Sequence, residues 1–167
     1  MAEEPKPLLV AGADGFGEDL KNVLVEHCRA QGYEVDDLGT GAYYDKAGEV
    51  ARRVQTDGAK GLLFCGTGMG VGILANKFSG IQAATCENVA AARCSRAIND
   101  SNVLCLGGKV TACVEINQCV GCSFLGDDAA VLARSSSGIR HRHAIEQASR
   151  RWCGGRHDDS ARTRRKI

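Results

Sequence analysis

Short apolar runs alternate along the chain with stretches in which apolar residues recur every three or four positions. The runs are typical of buried strands, and the longer spacing indicates helices with one buried face. The predicted strands cover residues 7–14, 33–39, 61–66, 80–86 and 101–108. The predicted helices cover residues 17–32, 44–58, 70–78, 87–100 and 112–126.

The order of these elements predicts the fold class. Strands separated by helices form right-handed crossovers, which bring parallel strands together and place helices on both faces of the sheet. The sequence therefore predicts a doubly wound, Rossmann-like α/β domain with a five-stranded parallel sheet over residues 8–126, after an N-terminal extension at residues 1–7. Ligands of such domains bind beyond the carboxyl ends of the strands.

The first predicted helix illustrates how its buried face is chosen. Helical spacing within residues 17–32 places five side chains on one face: Leu20, Val23, Leu24, His27 and Cys28. Gly32 is expected to end the helix. We expect that face to pack against the sheet.

The net charge of +1 conceals an uneven distribution of charge. Residues 1–133 carry 11 Lys and Arg against 17 Asp and Glu, whereas residues 134–167 carry 10 against 3. Residues 127–167 also lack an apolar period, which predicts a basic and partly disordered tail. The tail offers no recognisable nucleic-acid motif, so nucleic acid is disfavoured as a partner.

The sequence predicts a cytoplasmic protein that binds no metal. No apolar run approaches the ~20 residues that cross a bilayer, and the first ten residues are acidic where a signal peptide is basic. The nine cysteines are therefore predicted to be reduced thiols. Cys119 and Cys122 with His141 and His143 would supply four zinc ligands, but the two cysteines lie in an amphipathic helical stretch. No metal and no cofactor is predicted.

The stretch LLFCGTGMGVG, residues 62–72, carries the candidate chemistry. An apolar strand ends at Cys65, and four glycines follow within seven residues. Glycines after a strand leave backbone N–H groups free to bind an anion, and such donors favour the thiolate of a nearby cysteine. The loop lacks the Lys-Ser/Thr of a P-loop. Asp14 and Lys109 follow the first and fifth strands, so all three features are expected at one edge of the sheet.

These motifs resemble a known family. The segments CGTGMGVGILANKFSGIQAATC (65–86) and SRAINDSNVLCLGGKV (95–110) resemble the ribose-5-phosphate isomerase B family, which includes the galactose-6-phosphate isomerase subunits. GADGFGEDL (12–20) and DLGTGAYY (37–44) resemble a plant branch, the DNA-damage-toleration proteins. The resemblance covers residues 8–126.

The resemblance implies a metal-free aldose–ketose isomerase of a phosphorylated sugar, active as a homodimer whose site takes residues from both chains. Cys65 then moves a proton through an enediolate intermediate, and Thr67 offers its hydroxyl to the sugar. Further substrate-binding positions implied are Asp14, Gly66, Gly68, Met69, Gly70, Asn99 and Lys109, with Arg140 and Arg142 as candidates for the phosphate.

Three positions depart from the family pattern. Gly15 and Ile98 stand where the family has histidines, the second of which is credited with opening the sugar ring. Lys109 replaces an arginine and lacks its bidentate fork. From the residues alone, Cys65 as an inert buried thiol and Asp14 as a helix cap remain alternatives. A binding protein without turnover and, more remotely, a nucleotide-binding module remain as alternative functions.

Overall fold

The computed structural model describes residues 6–111, which form one parallel sheet with helices on both faces. The strands are β1 (Leu9–Ala13), β2 (Val35–Thr40), β3 (Lys60–Cys65), β4 (Ala83–Thr85) and β5 (Val103–Gly107). The helices are α1 (Glu18–Ala30), α2 (Tyr43–Asp57), α3 (Met69–Ala75) and α4 (Val89–Ala97). The strand order is β2-β1-β3-β5-β4, and every pair is parallel. The predicted doubly wound α/β fold is confirmed.

Two apolar layers hold the helices against the sheet. On one face, Leu24 of α1 and Ala92 of α4 pack in a cluster with Phe64. On the other face, Val50 of α2 and Val71 of α3 belong to a second cluster. Because the central strands β1, β3 and β5 are covered from both sides, their sequences are nearly unbroken apolar runs.

The buried face of α1 differs from the one that apolar spacing predicts. Val23 is 49% exposed, whereas Lys21 is only 3% exposed. The Lys21 ammonium donates to Asp37 Oδ2 of β2 at 2.6 Å and to Asn22 Oδ1 at 2.8 Å. Those two acceptors stabilise the buried charge of Lys21. The spacing of apolar residues alone does not predict that a lysine is buried.

β4 is also shorter than the strand predicted at residues 80–86. The Asn102 side chain accepts a hydrogen bond from the Gln82 N–H at 2.8 Å and donates to the Gly80 carbonyl at 2.8 Å. The side chain of the residue before β5 thus binds backbone groups that a longer β4 would use to pair with the sheet.

Several predictions lie outside the described residues. These are the helix at 112–126, the zinc alternative, the positions Arg140 and Arg142, and the basic tail at 127–167. Within residues 6–111, no helix is long and apolar enough to cross a membrane. Nor does that part of the chain bring three His, Cys, Asp or Glu side chains together as metal ligands.

Candidate active site

The turns that follow β1, β3 and β5 lie side by side at the carboxyl edge of the sheet. The last ladder pair joins Cys65 of β3 to Gly107 of β5. Beyond it, the Gly108 N–H donates to the Cys65 carbonyl at 2.8 Å, and the Asp14 N–H donates to the Phe64 carbonyl at 3.0 Å. These bonds fix the turns from β1 and β5 on either side of the thiol.

Cys65 ends β3 with its sulfur bound to the glycine loop. The residue is 6% exposed, and the Gly68 N–H donates to its Sγ at 3.1 Å. Gly68 has φ +76°, a conformation that side chains disfavour. A Cβ there would also lie 3.0 Å from the Leu106 carbonyl carbon. Glycine at position 68 therefore allows a backbone donor to point at the sulfur.

The turns can also approach each other closely because they contain glycines, which have no side chain, at the points of contact. A Cβ on Gly107 would lie 2.6 Å from the Thr67 carbonyl carbon, and one on Gly17 would lie 2.7 Å from the Cys65 nitrogen. Gly15 differs, because a Cβ there would meet nothing within 4 Å. The position at which the resemblance implies a histidine thus has room for a side chain in this chain.

The remaining loop residues lie at the same edge as the thiol. The Thr67 hydroxyl accepts a hydrogen bond from the Met69 N–H at 3.3 Å, and both residues are exposed. Gly70 packs against the ring of Tyr43, since a Cβ on Gly70 would lie 3.2 Å from Tyr43 Cε2. The Thr85 hydroxyl donates to the Gly68 carbonyl at 3.2 Å. Contacts from Tyr43 of α2 and Thr85 of β4 thus hold the loop in place.

Asp14 builds the turn after β1. Its Oδ1 accepts hydrogen bonds from the N–H groups of Phe16 at 2.9 Å and Gly17 at 3.0 Å. One carboxylate oxygen therefore closes a turn ahead of α1, whose N-cap is Gly17 without a side-chain cap hydrogen bond, so Asp14 is not the helix cap that the residue type alone suggests. Within residues 6–111, the structure gives Oδ2 no hydrogen-bond partner, so that oxygen is available to a ligand.

Lys109 brings a positive charge to this edge. Its N–H donates to the Gly66 carbonyl at 2.9 Å, and its Nζ lies 3.6 Å from the centroid of the Phe16 ring. The side chain runs over the loop, since a Cβ on Gly66 would lie 3.6 Å from Lys109 Cδ. The structure thus brings Lys109 beside the loop that follows Cys65.

Asn99 and Ile98 lie at the opposite edge of the sheet. Both precede β5, which runs parallel to β3 and is paired with it from Gly61 to Cys65. At roughly 3.3 Å per residue, the ladder separates the two edges by about 13 Å. Within one chain, Asn99 is therefore not brought to Cys65.

Three side chains beside the loop are not among the predicted site residues, although each lies in a segment that carries the family resemblance: Phe16, Tyr43 and Thr85. Phe16 is 65% exposed, and an aromatic residue in a turn that is otherwise Asp and Gly is the only signal in the sequence. Tyr43 and Thr85 come next to Gly70 and Gly68 only through the packing of α2 and β4. No local pattern predicts those contacts.

Three other thiols are poor nucleophiles. Burial raises the pKa of the Cys28 thiol to about 11. The pKa of Cys105 is raised by burial and, less strongly, by the thiols of Cys86 and Cys65. Burial also raises the pKa of Cys86, although a hydrogen bond with Ser95 opposes the shift. These cysteines behave as small apolar core residues.

The described residues thus form a parallel α/β domain with a thiol and a glycine loop at the carboxyl edge of its sheet. The model of the ribose/galactose isomerase family matches residues 9–147. The chain is a member of this family, which includes sugar-phosphate isomerases such as ribose-5-phosphate isomerase B. The resemblance drawn from the motifs is confirmed. The match continues past residue 126 and includes Arg140 and Arg142.

Three similar proteins illustrate the range of the family. The DNA damage-repair/toleration protein DRT102 of Arabidopsis thaliana is 44% identical over 107 residues, which are 62% of this chain and 34% of that protein. The chain thus spans about a third of the plant relative. A 4-deoxy-4-sulfo-D-erythrose isomerase of Clostridium sp. (strain MSTE9) is 39% identical over 111 residues, 62% of this chain and 70% of that one. The solved ribose-5-phosphate isomerase B of Clostridium thermocellum is 31% identical, with a TM-score of 0.75 over 89% of this chain and 99% of that chain.

Proposed function

We propose that this protein is an aldose–ketose isomerase of a phosphorylated sugar, with Cys65 as the acid/base. The observation that carries the proposal is the hydrogen bond from the Gly68 N–H to Cys65 Sγ at 3.1 Å. It places the thiol and a backbone donor of the glycine loop at the same point. That N–H favours the thiolate form of the base, and other N–H groups of the same loop are the proposed donors for the oxygen that becomes negative.

The proposed reaction has two proton transfers. The Cys65 thiolate removes a proton from the carbon beside the carbonyl, and the electron pair of that C–H bond moves to the carbonyl oxygen to give an enediolate. Of the amides of residues 66–70, those of Gly68 and Met69 are bound to Cys65 Sγ and the Thr67 hydroxyl, so the other amides of the loop are proposed to donate to the negative oxygen. The Thr67 hydroxyl is a further proposed donor. Cys65 then returns the proton to the neighbouring carbon, while the proton on the adjacent hydroxyl passes to the enediolate oxygen.

Charged groups at the same edge are proposed to hold the rest of the substrate. Asp14 Oδ2 is assigned to a sugar hydroxyl, and the Lys109 ammonium is assigned to the phosphate. Arg140 and Arg142 remain candidates for that phosphate. Since Asn99 lies at the far edge of its own sheet, the proposal assigns its contact with the reacting end to a second chain and therefore includes a homodimer.

The substrate is proposed to be short. Ile98 cannot donate a proton for ring opening, and a four-carbon sugar phosphorylated on its terminal oxygen has no free hydroxyl that closes a five-membered ring. The relative named as a 4-deoxy-4-sulfo-D-erythrose isomerase acts, by its name, on a four-carbon sugar. We therefore expect a higher kcat/KM for D-erythrose 4-phosphate than for D-ribose 5-phosphate. Ile98→His should reduce the difference in kcat/KM between the two substrates. Equal kcat/KM values for both substrates in the unmodified protein would contradict the proposed preference.

The alternative is a protein that binds sugar phosphates without turnover, which the glycine at 15 and the isoleucine at 98 favour. Incubation with a panel of sugar phosphates in deuterated water separates the two functions. Deuterium at the carbon beside the carbonyl is the result expected of an isomerase. Binding by calorimetry without exchange of any substrate would instead assign the binding function.

A further inference from the structure

The Lys109 ammonium is held by an aromatic ring rather than by a carboxylate. Its Nζ lies 3.6 Å from the centroid of Phe16, well inside the ~6 Å limit of a cation–π contact. Among residues 6–111, no Asp or Glu forms an ion pair with Lys109. A ring stabilises the position of a cation without neutralising it, so the charge remains available to an anion.

The Phe16 backbone is itself fixed by the turn. Its N–H is bound by Asp14 Oδ1, and its carbonyl oxygen would lie 2.2 Å from a Cβ on Gly108. The two turns are therefore in direct backbone contact. Phe16 as a whole residue is nevertheless 65% exposed.

Core packing does not explain why a large aromatic ring stands in this turn. Two other cation–π pairs lie in the described part of the chain: Lys6 with Tyr33 at 5.0 Å and Arg52 with Phe78 at 5.4 Å. Both of those rings pack against an apolar cluster, whereas Phe16 belongs to neither cluster. Its contact with the cation is also the shortest of the three.

The ring and the cation meet above the glycine loop. A Cβ on Gly66 would lie 3.6 Å from both Phe16 Cβ and Lys109 Cδ. Lysine has a flexible stem, and fixing that stem when an anion binds reduces affinity. A cation already held over the loop incurs less of that loss.

We propose that Phe16 is a positioning residue, which holds the Lys109 ammonium beside the loop and thereby strengthens binding of the phosphate end of the substrate. The kinetic test of this inference rests on the proposed function, because it measures turnover. The contact itself predicts anion binding whether or not the protein turns over. Because Phe16 is proposed to act through Lys109, its effect belongs in KM rather than kcat.

The test is a double-mutant cycle in the full chain. Phe16→Leu, Lys109→Met and the double variant are assayed with D-erythrose 4-phosphate, together with Phe16→Trp, which keeps an aromatic face. Phe16→Leu is expected to raise KM about three- to tenfold with kcat nearly unchanged, as the loss of one cation–π contact implies. Phe16→Trp should retain a low KM. In the Lys109→Met background, Phe16→Leu should have no further effect.

Phe78→Leu is the matched control, since it removes the ring of the pair with Arg52 on α2. A general effect of losing a phenyl ring would raise KM in both leucine variants and overturn the inference. The inference would also be overturned if Phe16→Leu raised KM equally with and without Lys109, or if it lowered only kcat.

A second readout separates this inference from the proposed function. If no sugar phosphate is turned over, the proposed function fails, and the same variants are titrated with inorganic phosphate by calorimetry. Weaker binding by Phe16→Leu only when Lys109 is present supports the positioning role. Equal dissociation constants for the wild type and Phe16→Leu, or no binding by the wild type, overturn it.

Discussion

At the scale of single residues, the backbone at position 68 carries much of the proposed chemistry. Gly68→Ala introduces a Cβ at φ +76° and 3.0 Å from the Leu106 carbonyl carbon. We expect the variant to lose about 1–2 kcal/mol in free energy of unfolding. We also expect it to lose at least about tenfold in kcat, because the N–H donor to Cys65 moves. Urea unfolding and steady-state kinetics measure the two effects.

Gly15→Ala is the control for that substitution. It adds the same methyl group in a turn of the same edge, where a Cβ meets nothing within 4 Å. It should leave kcat and stability close to wild type. A folded Gly68→Ala variant with unchanged kcat would argue against a role for that amide.

Thiol reactivity offers a second prediction at this scale. With a pKa of about 11, roughly one in a thousand Cys28 thiols is ionised at pH 8. Cys28 and the fully buried Cys105 should therefore resist iodoacetamide until urea is added. Cys65 should be labelled in the folded protein and protected by a bound sugar phosphate. Peptide mass spectrometry gives the rates, and labelling of Cys65 no faster than Cys28 would contradict its assignment as the base.

The site could be predicted from the sequence where its signal is local. Cys65 and its loop form one continuous segment, in which a strand end and four glycines determine the turn. Phe16 has no such signal, because its ring meets Lys109 only when the turns after β1 and β5 come together. The resemblance implies that Asn99 binds substrate, whereas the topology puts Asn99 at the other edge of its own sheet from Cys65.

At the scale of elements, an ion pair joins α1 to β2. Burial alone would raise the pKa of Asp37, but hydrogen bonds from the Lys21 ammonium and the Gly39 N–H outweigh it and hold the pKa below its usual value. A lowered folded-state pKa stabilises the protein above the unfolded value of about 4 and is lost as pH falls through the folded value. The free energy of unfolding should therefore decrease below pH 4.

Lys21→Met tests that pH dependence. The variant keeps the length of the side chain and removes the charge that lowers the pKa of Asp37. Its loss of stability between pH 6 and pH 3, measured by urea unfolding, should be smaller than that of the wild type. Arg53→Met is the comparison, since the pairs of Arg53 with Asp36 and Asp57 are more exposed. If both variants changed the pH dependence equally, the buried pair would have no special part in it.

The elements themselves follow from periodicity, but their ends do not. The alternation of strands and helices predicts the five strands and the first four helices, since burial on both faces requires unbroken apolar runs. The ends of β4 depend on Asn102, a side chain about twenty positions away from the backbone that it binds. The buried Lys21 likewise depends on a carboxylate from the next strand.

At the scale of the whole molecule, the proposal requires a site shared by two chains. Cys65→Ala and Asn99→Ala would each disable both sites of their own homodimer. When the two variants are mixed and exchange subunits freely, half of the dimers are mixed, and each mixed dimer has one site with both residues intact. Activity should recover toward about a quarter of the wild-type level. No recovery despite subunit exchange, or a monomer in sedimentation that remains active, would contradict the shared site.

The central claim is that the Cys65 thiol moves the proton, and isotope exchange measures this most directly. Wild type, Cys65→Ala and Cys94→Ala, the last an exposed thiol on α4, are incubated with D-erythrose 4-phosphate in deuterated water. Deuterium at the carbon beside the carbonyl is expected for the wild type and Cys94→Ala. The exchange rate of Cys65→Ala is expected to be about 10²–10⁴-fold lower. Exchange by a folded Cys65→Ala variant at the wild-type rate would show that Cys65 is not the base.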